Sequence, residues 1–119
     1  MLYRIAERAD WLAAQETGLF ASADLAAEGF IHSSERHQLL ETARRYYAGR
    51  ADLVLLEIDE ARLQAAGVRV EREFVATRGE AFAHLFGAVP LAAVRRLWPF
   101  ATDAEGQAQL PQELQVTGP

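Results

Sequence analysis

A chain of 119 residues and 13.2 kDa, half apolar and 24% charged, is sized for one compact domain with its own core and is too short for two. Twelve Arg against seventeen Asp and Glu give a net charge of −5, and three of those acids fall in the last nineteen residues, which hold no base. Residues 1–100 therefore carry twelve bases against fourteen acids, with no surplus of clustered base to mark a general nucleic-acid surface.

In chain order, Leu2-Tyr3-Arg4-Ile5-Ala6 alternates as a short strand. Asp10 caps a brief helix from Trp11 that ends before Gly18. Ser22 caps a second helix over Ala23 to Glu28, and Gly29 supplies its left-handed stop. Phe30-Ile31-His32 reads as a strand ending in Ser33-Ser34. Leu39, Leu40, Ala43, Tyr46 and Tyr47 at helical spacing predict the longest helix of the chain over 35–48, closed by Gly49. The apolar run Leu53 to Ile58 has strand length, and Asp59 caps a helix through Ala66 that ends at Gly67. Val68, Val70 and Phe74 alternate as a further strand. Phe82, His84 and Phe86 share a face at period two and favour a strand over Gly79 to Gly87, although Glu80 and His84 would be neighbours on a helix. Pro90 opens a single helical turn, and Val94 to Phe100 forms the last strand. This order predicts an α+β fold with a mixed or antiparallel sheet, a single globular domain over 1–100 and a loose acidic tail over 101–119.

Missing residue types narrow the chemistry. Without Cys there is no thiolate nucleophile, disulfide or Cys-ligated metal; without Lys there is no Schiff base and no P-loop lysine. Arg stays charged at any working pH, so proton transfer near neutrality falls to three histidines. No charged-then-apolar leader opens the sequence, and no apolar run approaches the ~20 residues of a membrane span, so a cytoplasmic protein without membrane contact is expected.

Two tripeptides have the same form, Phe30-Ile31-His32 and Phe82-Ala83-His84. In extended chain each imidazole shares a face with its phenyl neighbour, so adjacent strands would make an aromatic wall holding two groups suited to acid–base work. The plainer reading makes each histidine a part-buried strand residue bonded to a carbonyl. Ser33 and Ser34 stand where a strand turns into a helix N-terminus, whose free N–H groups suit phosphate or carboxylate, although one serine serves equally as a cap. His37 reads as a solvated surface residue. No Gly-x-Ser-x-Gly elbow supports a serine hydrolase. His32, His84 and Glu80 are metal-ligand types, yet no tight pair such as His-x-x-x-His fixes two of them on one element, and no metal is expected. Arg4 in mid-strand either pairs in a cleft or lies on the solvent face.

Taken together, Leu2-Tyr3-Arg4-Ile5, Trp11, Gly29-Phe30-Ile31-His32-Ser33 and Glu80-Ala81-Phe82-Ala83-His84-Leu85-Phe86-Gly87 before Pro90 resemble the domain-of-unknown-function 952 family. That family is similar in fold to the ADP-ribosyltransferase superfamily, including the RNA 2′-phosphotransferases, whose mixed, split sheet holds NAD in a central cleft. The resemblance implies an ADP-ribosyltransferase-like fold with short helices and one long helix, and NAD or a related small nucleotide as ligand. It implies His32 and His84 as acid or base, with Arg4, Phe30, Ser33, Ser34, Phe82 and Gly87 around the ligand. Arg4 falls where relatives carry His in the pattern Tyr-His-Ile. The catalytic Glu of typical transferases has no clear equivalent, Glu71 and Glu80 being the nearby acids. A transferase acting on NAD or a phosphorylated nucleotide is the first expectation; a non-catalytic small-ligand or protein-interaction module of the same fold is the alternative.

Overall fold

The computed structural model describes residues 1–115. Strand β1 (Leu2–Glu7) pairs with β4 (Leu53–Ile58), which pairs in turn with β8 (Val94–Phe100). The second sheet has the order β3 (Ile31–His32), β6 (Glu80–Phe86), β5 (Arg69–Val75), and β2 (Leu19–Phe20) with β7 (Val89–Pro90) makes a short ribbon. Helices α1 (Arg8–Thr17), α2 (Ala23–Glu28), α3 (Leu39–Tyr46) and α4 (Glu60–Ala65) fill the connections.

β4, apolar but for Glu57, is buried along its whole length because it lies at the centre of its sheet with both faces covered. On one side Leu56 and Ile58 join Leu2, Ala6, Ile31, Ala83 and Leu85; on the other Leu53 and Leu55 join Tyr3, Ile5, Leu39 and Phe100. Alternation along β1 thus sends Leu2 and Ala6 to the first core and Tyr3 and Ile5 to the second. Arg4, in phase with Leu2 and Ala6, points toward the first core. Antiparallel hydrogen bonds of 2.8 Å in each direction between Tyr3 and Ser34 tie β1 to the chain just beyond β3, which brings Arg4 to His32.

The predicted elements are present, with four differences. Every ladder is antiparallel, so the split sheet is not a mixed one; β5 and β6, for example, are joined by the tight turn at Gly79 (φ 68°), too short for a parallel crossover. The helix expected over 35–48 starts as a 3₁₀ turn at Arg36–Gln38 and continues as the eight residues of α3, shorter than the ten of α1. Glu35 and Gln38 cap its start reciprocally, and the Thr102 hydroxyl donates to the Tyr47 carbonyl at its end. Helix α1 begins at Arg8 with Asp10 in its first turn, and β2 and β7, two residues each, are too short to carry a period.

The tail also departs from expectation through Gln115; residues 116–119 lie outside the described residues. Leu114 is buried in the second core, with Ala108 and Leu110 packed against it. Gly106 sits at φ 84°, and a Cβ there would stand 2.7 Å from the Arg44 carbonyl oxygen, so only glycine lets the tail lie against α3.

Candidate functional site

The register of β3 on β6 sets the site. Ile31 faces Leu85, both fully buried in the first core, so the next pair, His32 and His84, must project from the opposite face of the sheet. Their ring centroids stand 5.5 Å apart, edge to face. Gly29, left-handed at φ 87°, ends α2 and turns the chain so that Phe30 lies flat on His84, 4.0 Å between centroids and 14° between planes. Phe86 closes the group at 5.5 Å from Phe30, and the Arg69 guanidinium lies 4.0 Å above Phe86.

Each imidazole is held at Nδ1 by a carboxylate: His32 by Asp24 at 2.9 Å and His84 by Glu73 at 2.8 Å. A carboxylate has only lone pairs to offer, so Nδ1 carries the proton in both rings. Asp24 also accepts from the His32 backbone N–H at 2.9 Å, from Arg4 at 2.7 Å and from the Ser22 hydroxyl at 2.5 Å. Burial alone would push its carboxyl up; the hydrogen bonds from His32 and Ser22 and the Arg4 charge outweigh burial and hold it well below the ordinary range. Arg4 donates as well to the His32 carbonyl at 3.1 Å, and its side chain is 12% exposed. It is therefore the paired residue and not the solvent-facing one.

The two histidines differ in access. His32 is 48% exposed, with Glu28 at 3.7 Å from its Nε2. His84 is 8% exposed, and its Nε2 is buried with no hydrogen-bond partner.

Arg4, Phe30, His32 and His84 come together as the sequence suggests. Phe82 shares their face of β6 but lies under Arg78, at 4.5 Å. Ser33 and Ser34 are spent internally: the Ser33 hydroxyl donates to the Ala83 carbonyl at 2.7 Å, that of Ser34 meets Thr42 at 3.1 Å, and the Ser34 N–H is taken by Tyr3. Neither caps the following helix, a role that falls to Glu35. A Cβ at Gly87 would meet the Val68 side chain, at 3.4 Å. Glu80 pairs with the exposed His37 at 2.8 Å, and that bond holds the Glu80 carboxyl below its ordinary range. Glu71 lies directly across from His84 in the ladder but bonds Arg69. Sequence reasoning missed Asp24, Glu73, Glu28 and Ser22. One signal for Glu73 was available: counting back from the turn at Gly79 pairs Glu73 with Phe82, diagonal to His84 on the same face.

Two open depressions lie elsewhere, one of about 650 Å³ along 101–103 and 107–109, the other of about 400 Å³ between Arg36, Glu57 and Arg96. No helix among the described residues is long and apolar enough to cross a membrane.

The molecule is thus an α+β protein of split antiparallel sheets with a carboxylate-held histidine pair on the outer face of one of them. Residues 5–97 match the family model described as a protein of unknown function (DUF952), and the chain belongs to that family. It is similar to protein CC0527 from Caulobacter crescentus. A crystal structure of a double mutant of that protein is 36% identical at a TM-score of 0.82, covering 95% of this chain and 96% of that one. Its solution NMR structure is 38% identical at a TM-score of 0.69, covering 91% and 90%. No curated protein matches.

Proposed function

We propose that the face formed by Phe30, His32, His84 and Phe86 binds a small nucleotide-like ligand and that His32 is its proton-transfer group. The observation that carries this reading is a half-exposed imidazole held at Nδ1 by Asp24, beside a second held the same way by Glu73, against an aromatic wall. A carboxylate at Nδ1 fixes the tautomer and leaves Nε2 as the working nitrogen, and the phenyl rings suit a base or a nicotinamide. The surrounding carboxylates of Asp24, Glu28 and Glu73 disfavour phosphate at the rings themselves, so the ligand's aromatic end meets the pair. An ADP-ribosyltransferase-like or phosphotransferase-like reaction on NAD or a phosphorylated nucleotide is the chemistry we infer, on the strength of the sequence resemblance. The acid bonded to the His84 ring is Glu73, while Glu71 and Glu80, the nearby acids named from the sequence, bond Arg69 and His37.

A thermal-shift series with NAD, ADP-ribose and 2′-phosphorylated nucleotides tests the reading. A ligand at a hundredfold excess over Kd stabilises by about 2.7 kcal/mol. His32→Ala is expected to abolish turnover of any ligand found and to reduce its shift; a parent chain that no member of the series stabilises overturns the reading. Binding without chemistry is the second reading, favoured by Phe30 lying over His84. It predicts the same shifts with the added nucleotide recovered intact.

A further inference from the structure

We infer that Arg69 is the phosphate anchor of the same face, so that the ligand is a nucleoside 5′-phosphate lying with its base against Phe30 and His32 and its phosphate on the Arg69 guanidinium. This rests on the nucleotide reading and adds a direction to it. In the β5–β6 ladder Arg69 stands opposite Phe86 and Glu71 opposite His84, while Val70 and Leu85 between them turn to the first core. Arg69, Glu71, His84 and Phe86 therefore share the outer face, and His32 stands opposite His84 in turn. One two-residue step along the strands, about 7 Å, separates the row of the histidines from the row of Arg69 and Phe86. A ribose bridges a step of that size between a base and a 5′-phosphate. The rings make the path continuous: the Arg69 guanidinium reaches across to lie 4.0 Å over Phe86, Phe86 stands 5.5 Å from Phe30, and Phe30 stands 5.0 Å from His32.

Of the guanidiniums that border this face, Arg4 and Arg78 are committed. Arg4 donates to Asp24 at 2.7 Å and to the His32 carbonyl at 3.1 Å; Arg78, over Phe82, donates to the Thr42 hydroxyl at 3.0 Å and to the Gln38 carbonyl at 3.4 Å. Arg69 is held more loosely. Its Nη1 meets Glu71 at 3.4 Å, longer than the ~2.7–2.9 Å of a well-made charge-assisted bond, and the two side chains are 61% and 50% exposed. Among the described residues its Nε and Nη2 meet no acceptor. The donors of a guanidinium lie in its plane while the Phe86 ring takes its face, so the stacking steadies the group without using a donor. The free Nε–Nη2 edge matches two oxygens of a phosphate. Charge sorts the two ends of the ligand: Asp24 and Glu28 lie against His32, and Glu73, opposite Phe82, stands two rows from Arg69. Glu71 is the acid that the phosphate displaces.

The test compares each nucleoside with its own 5′-phosphate on the full-length chain, by NMR titration at low salt: adenosine with AMP, and nicotinamide riboside with nicotinamide mononucleotide, read on whichever base binds. The phosphate is expected to tighten binding by about tenfold or more. Arg69→Ala is expected to erase that gain and leave the nucleoside affinity unchanged. Arg69→Lys, a point charge without the fork, is expected to restore part of it. Glu71→Gln, which removes the competing carboxylate, is expected to raise the gain by about threefold, and added salt to shrink it. Equal affinity of nucleoside and nucleotide for the parent overturns the assignment, as does a gain that survives Arg69→Ala, and either result leaves the base-binding face standing. If neither nucleosides nor nucleotides bind, the nucleotide reading falls and the role of Arg69 falls with it.

Discussion

Two clusters of buried ionisable groups sit in this small protein, one in each three-stranded sheet, and they are finished differently. In the β1–β4–β8 sheet, Glu57 is 2% exposed at a bulge of β4, and both of its oxygens are engaged, by the Tyr3 hydroxyl at 2.9 Å and by the Arg96 guanidinium at 2.9 and 3.0 Å. Arg96 holds the Glu57 carboxyl below its ordinary range against the opposing effect of burial. Burial, helped by Glu57, pushes the Tyr3 phenol up to about 12. In the β3–β6–β5 sheet, His84 is almost as deeply buried, yet one ring nitrogen is left with nothing to bond. A satisfied buried network stabilises; a buried polar atom without a partner is a cost that the fold tolerates where something else is gained. On that difference rests the proposal that the second cluster, rather than the first, is the functional one.

The largest effect should come from the satisfied cluster. Glu57→Ala strands the Tyr3 hydroxyl and removes the anchor of Arg96, and is expected to cost about 3 kcal/mol in urea unfolding. Tyr3→Phe removes one hydrogen bond to a buried carboxylate, at about 1.5 kcal/mol by the same measurement. His84→Phe, by contrast, should stay within about 1 kcal/mol of the parent, because it removes an unpaired nitrogen along with the Glu73 contact and keeps the stack on Phe30. If His84→Phe costs as much as Glu57→Ala, the distinction between the two clusters fails.

Acid sharpens the same contrast through Asp24. Its folded pKa is depressed, so its contribution to stability is full above the unfolded carboxylate value of about 3.9 and drains away as pH falls toward the lower native value. Asp24→Asn should flatten that acid limb in urea midpoints measured between neutrality and the acid transition. It should also free the His32 ring from its fixed tautomer, visible in the ¹⁵N shifts of the imidazole. An unchanged acid limb would mean that Asp24 is not held by the site as described.

Much of the fold was legible because its signals are local. Gly18 and Gly29 stop helices, Asp59 caps one, and the period-two pattern of Phe82, His84 and Phe86 was stronger than the helical spacing of Glu80 and His84. The candidate histidines were legible for the same reason, as a repeated Phe-x-His. Their partners were not. Asp24 reaches His32 across the turn at Gly29, and Glu73 reaches His84 diagonally across a hairpin, so both contacts depend on register. The use of the serines is tertiary and no local pattern announces it: the Ser33 hydroxyl is taken up by β6, the Ser34 hydroxyl by Thr42 of α3 and the Ser34 N–H by the bridge to β1. The tail looked loose by composition, yet Leu110 and Leu114 find a core formed by residues far earlier in the chain.

The most direct test of the account is a heteronuclear NMR titration of the full-length chain with the nucleotide series, following the backbone and imidazole resonances together. The largest shifts are expected on Phe30, His32 and His84, fading toward Tyr3, Glu57 and Arg96. Shifts centred on Arg36 and Arg96, with the histidine pair unmoved, would contradict it.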